Sequence, residues 1–297
     1  MMFIGSMMLP ISNGYGRNCF VKNQQPNQFT TSFKFVNGLI LVEAKLNGKK
    51  GWFILDSGAP DLVINTAHYN GKLHTSKKNA TGATGRIAIK ETTVTSFEWN
   101  GFKLQDYNAI AFDQTHLERP FNLTIIGLIG AKLIQDYEMF IDYEKRKLTL
   151  FKKGYSKYHQ QIKPTHTIPF TLSRHLATIN VKIKGQTYTF QLDTGAMGNT
   201  LSEKILDKLS EKDDYQLLGT IPLAGAGKKL VQAKRIALNK FKTNTLAFDK
   251  MGFIVMNIAR LQKRLPNLSG GVLGFPFLSS KKRVSINYKT QQIHFWE

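Results

Sequence analysis

The chain contains the same sequence pattern twice, and this internal duplication restricts its possible folds more than any other feature. Residues 39–58 (LILVEAKLNGKKGWFILDSG) align without a gap on residues 176–195 (LATINVKIKGQTYTFQLDTG), at a constant offset of 137 residues. Each segment alternates apolar and polar residues, reaches a glycine turn at Gly48 or Gly185, and continues as a second strand-like run. The pattern predicts a β-hairpin in each copy that ends on an acidic residue.

Two further segments repeat in the same order. Residues 127–134 (GLIGAKLI) correspond to residues 271–278 (GVLGFPFL) at an offset of 144, and residues 141–150 correspond to residues 286–295 at an offset of 145. The slow drift of the offset is what loops of different length produce. Three ordered matches therefore predict two related halves.

The organisation of the chain follows from these repeats. We expect an N-terminal segment over residues 1–27 (flexible, or the remnant of an export signal), a first lobe over 28–151, a polar linker over 152–163 and a second lobe over 164–297. Helical signal is scarce, and the best candidates for short helices lie near residues 131–136, 203–211 and 256–265. The remainder consists of short strand-like runs between Gly and Asn turns, which indicates an all-β fold.

Composition excludes several classes of protein. The net charge is +21, but the basic residues are scattered and form no arginine-rich helix or zinc-finger spacing, so we expect no specific nucleic-acid partner. No apolar run approaches the ~18 residues of a membrane-spanning helix, so we expect no transmembrane segment. The single cysteine, Cys19, cannot form an internal disulfide. Localisation stays open, with secretion or the periplasm slightly favoured.

The duplicated acidic residues carry the chemistry. Asp56-Ser57-Gly58 and Asp193-Thr194-Gly195 occupy equivalent positions of the two repeats. One such tripeptide is common in ordinary turns, because Asp and Gly suit turn geometry. A turn does not require the same acid, hydroxyl and glycine twice. Two adjacent carboxyl groups share a proton, since both cannot ionise cheaply, and such a pair supplies a general base and a general acid together.

In these motifs the sequence resembles the aspartic peptidases, and the retropepsin-like branch more closely than the pepsins. The resemblance covers nearly all of both halves and rests on the Asp-Ser/Thr-Gly-Ala tetrads and on the later Gly-Leu-Ile-Gly and Gly-Val-Leu-Gly segments. It implies two duplicated retropepsin-like (acid protease) β-barrel lobes with an active-site cleft between them. It also implies an aspartic endopeptidase whose catalytic residues are Asp56 and Asp193.

The resemblance assigns roles to neighbouring residues. Ser57 and Thr194 are expected to hydrogen-bond across the lobe interface, while Gly58 and Gly195 let backbone N–H groups approach the carboxylates. Each half also contains a small-residue segment suited to a flap over the substrate. The candidate flap residues are Gly82, Ala83, Thr84 and Gly85 in the first half, and Ala224, Gly225 and Ala226 in the second. Neither segment has the tyrosine of pepsin-like flaps, which favours the two-flap retropepsin arrangement.

The expected partner is a peptide or protein substrate, without a cofactor. Because one chain carries both Asp loops, we expect activity as a monomer, unlike the two-subunit retroviral members. The seven histidines show no paired spacing of the kind that binds a metal, so no metal site is predicted. The alternative is a catalytically inactive peptide-binding protein of the same fold. A basic polyanion-binding protein is a third reading that rests on charge alone.

Overall fold

The computed structural model describes residues 2–4, 25–81, 86–152, 157–225 and 231–297. Strands dominate these residues, and the few helices are short. The strands up to the linker are β1 Met2–Ile4, β2 Gln28–Val36, β3 Leu39–Leu46, β4 Lys49–Leu55, β5 Val63–Asn65, β6 His74–Thr81, β7 Arg86–Trp99, β8 Phe102–Phe112, β9 Ile125–Ile129, β10 Glu138–Asp142 and β11 Lys147–Phe151. The all-β prediction is confirmed.

The remaining elements follow the linker or interrupt the strands. The later strands are β12 His166–Pro169, β13 Thr171–Ser173, β14 Leu176–Ile183, β15 Gln186–Leu192, β16 Asn199–Ser202, β17 Tyr215–Gly225, β18 Val231–Lys242, β19 Ala247–Met256, β20 Gly271–Leu273, β21 Arg283–Asn287 and β22 Gln292–Trp296. The α-helices are α1 Thr115–Phe121, α2 Ala131–Ile134, α3 Lys157–Gln161, α4 Glu203–Leu206, α5 Ala259–Gln262 and α6 Phe275–Leu278, and a 3₁₀ helix spans Thr66–His68.

The three expected helices are present but shorter than predicted, as α2, α4 and α5. Helices α1, α3 and α6 were not expected, and α3 lies within the predicted linker. Helices of one or two turns are too short to establish a helical periodicity in the sequence. Their existence depends on the strands around them.

Both predicted hairpins are confirmed. β3 pairs with β4, and β14 pairs with β15, each antiparallel. The turns are Asn47-Gly48, with φ of 49° and 80°, and Lys184-Gly185, with φ of 48° and 80°. Positive φ at both central residues is the type I′ geometry, whose twist matches that of the flanking strands. The same turn therefore sets the register of both copies.

The two halves meet in one continuous sheet. β2, β11 and β10 from the first half continue into β21, β22 and β12 from the second. β10 and β21 pair antiparallel with Phe140 opposite Ser285 at the centre of the register. These two residues lie at the repeat offset of 145, so the pairing is symmetric about them. A local two-fold axis therefore relates the halves.

Each half has an apolar core behind its hairpin. Phe53 and Phe190 occupy equivalent repeat positions, and neither is exposed to solvent. Phe53 packs edge-on against Phe97, with ring centroids 5.4 Å apart, and Phe190 packs likewise against Phe253 at 6.4 Å. These contacts fix the buried strands that lead to Asp56 and Asp193. Among the described residues, no helix is long and apolar enough to cross a membrane.

Candidate active site

The two Asp loops begin at equivalent points of the two halves. β4 lies parallel to β9 with Leu55 opposite Ile129, and β15 lies parallel to β20 with Leu192 opposite Leu273. Asp56 directly follows Leu55, and Asp193 directly follows Leu192. The Asp56 N–H donates to the Ile129 carbonyl at 3.0 Å, and the Asp193 N–H donates to the Leu273 carbonyl at 3.0 Å. The repeated Gly-Leu-Ile-Gly and Gly-Val-Leu-Gly segments thus support the loops from behind.

The structure brings the two carboxyl groups together in the interior. Asp56 is 1% exposed and Asp193 is 0% exposed. The Gly58 N–H donates to Oδ1 of Asp56 at 2.9 Å and to Oδ1 of Asp193 at 3.2 Å. The Gly195 N–H donates to Oδ1 of Asp193 at 2.8 Å, and the Ala59 N–H donates to Oδ1 of Asp56 at 3.0 Å. A single amide therefore contacts both carboxyl groups.

Glycine is required on both sides of the pair for steric reasons. A Cβ atom added to Gly58 would lie 2.5 Å from Oδ2 of Asp193. A Cβ atom added to Gly195 would lie 2.4 Å from Cγ of Asp56. Both distances are far shorter than a van der Waals contact. Any side chain at either position would push the opposite carboxyl group away.

The environment favours a shared proton. Burial raises the pKa of Asp56 well above its usual value, and the neighbouring Asp193 charge raises it further, against the N–H groups of Ala59 and Gly58. Burial also raises the pKa of Asp193, to about 6, against hydrogen bonds from Gly195, Asp56 and Gly58. Because both groups resist ionisation, the pair retains a proton well above the usual carboxyl range.

The hydroxyl residues beside the acids join the two loops. The Ser57 N–H donates to Thr194 Oγ1 at 3.0 Å, and the Thr194 N–H donates to Ser57 Oγ at 3.0 Å. Thr194 Oγ1 in turn donates to the Leu55 carbonyl at 2.9 Å. The cross-lobe contact expected for Ser57 and Thr194 is therefore present in the geometry, while its effect on activity stays a prediction.

Two buried residues that sequence reasoning missed also contact the Asp loops. His175 Nε2 lies 3.4 Å from the Gly58 carbonyl oxygen, and burial lowers the pKa of this histidine. The Tyr288 hydroxyl hydrogen-bonds the Ser57 side chain, while burial raises the pKa of Tyr288. Tyr288 matches Tyr143 in the third repeat, and this match was a usable signal. His175 corresponds to Gly38, so the duplication gave no signal for it.

The flap assignments remain predictions. Gly82, Ala83, Thr84, Gly85 and Ala226 lie outside the described residues. Ala224 and Gly225 are the last two residues of β17, where they pair in parallel with Phe3 and Ile4 of β1. Thr81 and Arg86, which flank the first segment, are paired across β6 and β7.

The duplicated β lobes and the paired Asp loops define a two-lobed protein of the retropepsin-like class. The family model described as "Aspartyl protease" matches residues 42–133 and 179–277, which together make up more than half of the chain and include both Asp loops. The chain therefore belongs to the aspartyl protease family. No curated protein matches it.

Proposed function

We propose that this protein is an aspartic endopeptidase in which Asp56 and Asp193 together activate a water molecule for attack on a peptide bond. The observation that carries the proposal is the Gly58 N–H, which donates to both carboxyl groups at 2.9 and 3.2 Å. Two duplicated loops place their acids around one amide, in the interior. A shared-proton mechanism requires two carboxyl groups this close together, whereas a structural turn does not.

The pair supplies both proton transfers of the reaction. The ionised member takes a proton from water as the water oxygen bonds to the carbonyl carbon, and the protonated member gives its proton to the carbonyl oxygen. The tetrahedral intermediate then collapses: a carboxyl proton passes to the amide nitrogen, one hydroxyl of the intermediate returns its proton to the other carboxylate, and the C–N bond breaks. A carboxylic acid and an amine leave, and the pair again holds one proton. Burial strengthens each electrostatic interaction in these steps.

A cavity beside the second Asp loop supports binding of an extended substrate. It has a volume of about 580 Å³ and lies between the loop residues Met197 and Gly198 and the strand residues Ile221 and Pro222. The apolar residues Met197 on one side and Ile221 and Pro222 on the other suit one apolar side chain of a peptide that lies along β17. The proposed partner is therefore an unfolded or extended segment of a protein.

The decisive experiment is hydrolysis of a denatured protein at acid pH by the purified chain, with cleavage sites identified by mass spectrometry. A statine-type mimic of the tetrahedral intermediate should inhibit it. Asp56→Asn should be inactive, and Asp249→Asn, which changes an exposed carboxylate, should retain activity. Peptide binding without any cleavage would overturn the proposal in favour of an inactive peptide-binding protein.

A further inference from the structure

Away from the Asp pair, three side chains of types that can bind metals lie close together at the shared sheet, and each comes from a separate element. Glu138 belongs to β10, His159 to α3 and His294 to β22. One ligand atom of each lies within 4.8 Å of the other two. Glu138 is 0% exposed, and His294 is buried beside it. The first half, the linker and the second half each contribute one residue.

The contact between Glu138 and His159 has the spacing of two ligands on one ion. His159 Nε2 lies 3.1 Å from Glu138 Oε1. Two ligand atoms at zinc–ligand distances of about 2.0–2.1 Å lie roughly 3.3 Å apart in a tetrahedral site. Among the described residues, His159 Nε2 is buried and has no aligned hydrogen-bond partner.

Hydrogen bonds to neighbouring residues fix the orientation of the His294 and Glu138 side chains. His294 Nδ1 and Thr167 Oγ1 lie 3.0 Å apart, which leaves Nε2 as the nitrogen for an ion. Ser285 Oγ donates to Glu138 Oε1 at 2.6 Å, and Asn287 Nδ2 donates to Oε2 at 3.2 Å. Hydrogen bonds of this kind orient metal ligands in established sites.

We propose that Glu138, His159 and His294 bind one divalent transition-metal ion, with zinc as the best match and a water molecule as the remaining ligand. Two imidazoles and a carboxylate suit zinc better than magnesium or calcium, which prefer oxygen ligands alone. The ion connects the linker helix α3 to the strands shared by both lobes. The sequence predicted no metal site, because His159 and His294 are 135 positions apart (294 − 159) and do not form a closely spaced pair.

The test is calorimetric titration of the chelator-treated full chain with zinc chloride at neutral pH. We expect one ion per chain. Glu138→Gln and His294→Ala should each weaken binding at least ~100-fold, since each removes one of three protein ligands. His68→Ala is the matched control, because His68 pairs with Glu118 without a third ligand in the described residues. It should leave the affinity unchanged.

The unsubstituted protein gives a second test that does not depend on how the variants fold. The Trp296 ring lies 4.9 Å from the His159 ring, so a bound Cu²⁺ ion, which is paramagnetic, should quench its fluorescence. Quenching should saturate at one equivalent, zinc should compete with it, and Trp296→Phe should remove it. Absence of one-to-one binding by the unsubstituted chain would overturn the proposal. So would binding that survives replacement of Glu138 and His294.

Discussion

Ser57 and Thr194 exchange hydrogen bonds across the two halves, each backbone N–H donating to the other residue's hydroxyl oxygen at 3.0 Å. The two residues are 137 positions apart in the sequence and follow the two aspartates directly. The distance between the carboxyl groups therefore depends on these hydroxyls.

Ser57→Ala and Thr194→Ala should each reduce activity more than they reduce the stability of either half. Each removes an acceptor from a buried N–H, at a cost of about 1–3 kcal/mol in the free energy of unfolding. The double variant should cost less than the sum of the singles, because the residues share one network. Turnover and urea unfolding of all three variants measure this.

Two comparisons make that prediction specific. Thr194→Ser keeps the hydroxyl and should restore most of the activity. Thr149→Ala removes one member of the exposed Thr30–Thr149 hydrogen bond and should change neither turnover nor stability. Small, strictly additive effects of the Ser57 and Thr194 substitutions would contradict the network.

Asp56→Asn and Asp193→Asn should each lower kcat by about 10³-fold or more, because one carboxyl group cannot act as base and acid together. The substitutions keep the shape of the side chain, so the fold should persist. Steady-state kinetics on a cleaved peptide, with circular dichroism as the check on folding, decide the matter. Near-normal turnover by either variant would rule out the shared pair.

The Asp pair should also make stability depend on pH. The pKa of Asp193 is raised to about 6, and that of Asp56 is raised too, so the folded state binds the proton more tightly than the unfolded chain does. The contribution of Asp193 to the free energy of unfolding is fully present below about pH 4 and is lost as pH rises through about 6.

The matching measurement is urea unfolding of the unsubstituted protein and Asp193→Asn from acid to neutral pH. Over this range the unsubstituted protein should lose on the order of 2–3 kcal/mol more than Asp193→Asn, which lacks the Asp193 contribution. A stability difference between the two proteins that does not change with pH would refute this.

Tyr288→Phe should lower turnover several-fold and alter its pH profile, because the Tyr288 hydroxyl hydrogen-bonds Ser57. The matched control is Tyr143→Phe. Tyr143 occupies the equivalent repeat position and is partly buried, but it packs against Phe33, Phe35 and Phe275. Stability of both variants should change by no more than ~1.5 kcal/mol. Equal kinetic effects of the two substitutions would remove the special role of Tyr288.

Specific activity should be independent of protein concentration, because one chain supplies both Asp loops. Initial rates over a wide dilution series, with sedimentation velocity at the same concentrations, test this expectation. A fall in specific activity that follows dissociation of a dimer would show that a second chain is needed.

The sequence alone determined the features that depend on short segments and that occur in both repeats. Asn47-Gly48 and Lys184-Gly185 predicted the two hairpins, since turn chemistry and strand alternation act over about ten residues. The constant offset then marked Asp56 and Asp193 as equivalent. Only the tertiary structure decided which distant elements touch: His175 against Gly58, Tyr288 against Ser57, and the cluster of Glu138, His159 and His294. These contacts join residues more than 100 positions apart, or come from a helix too short to show a period, and packing of whole elements sets them.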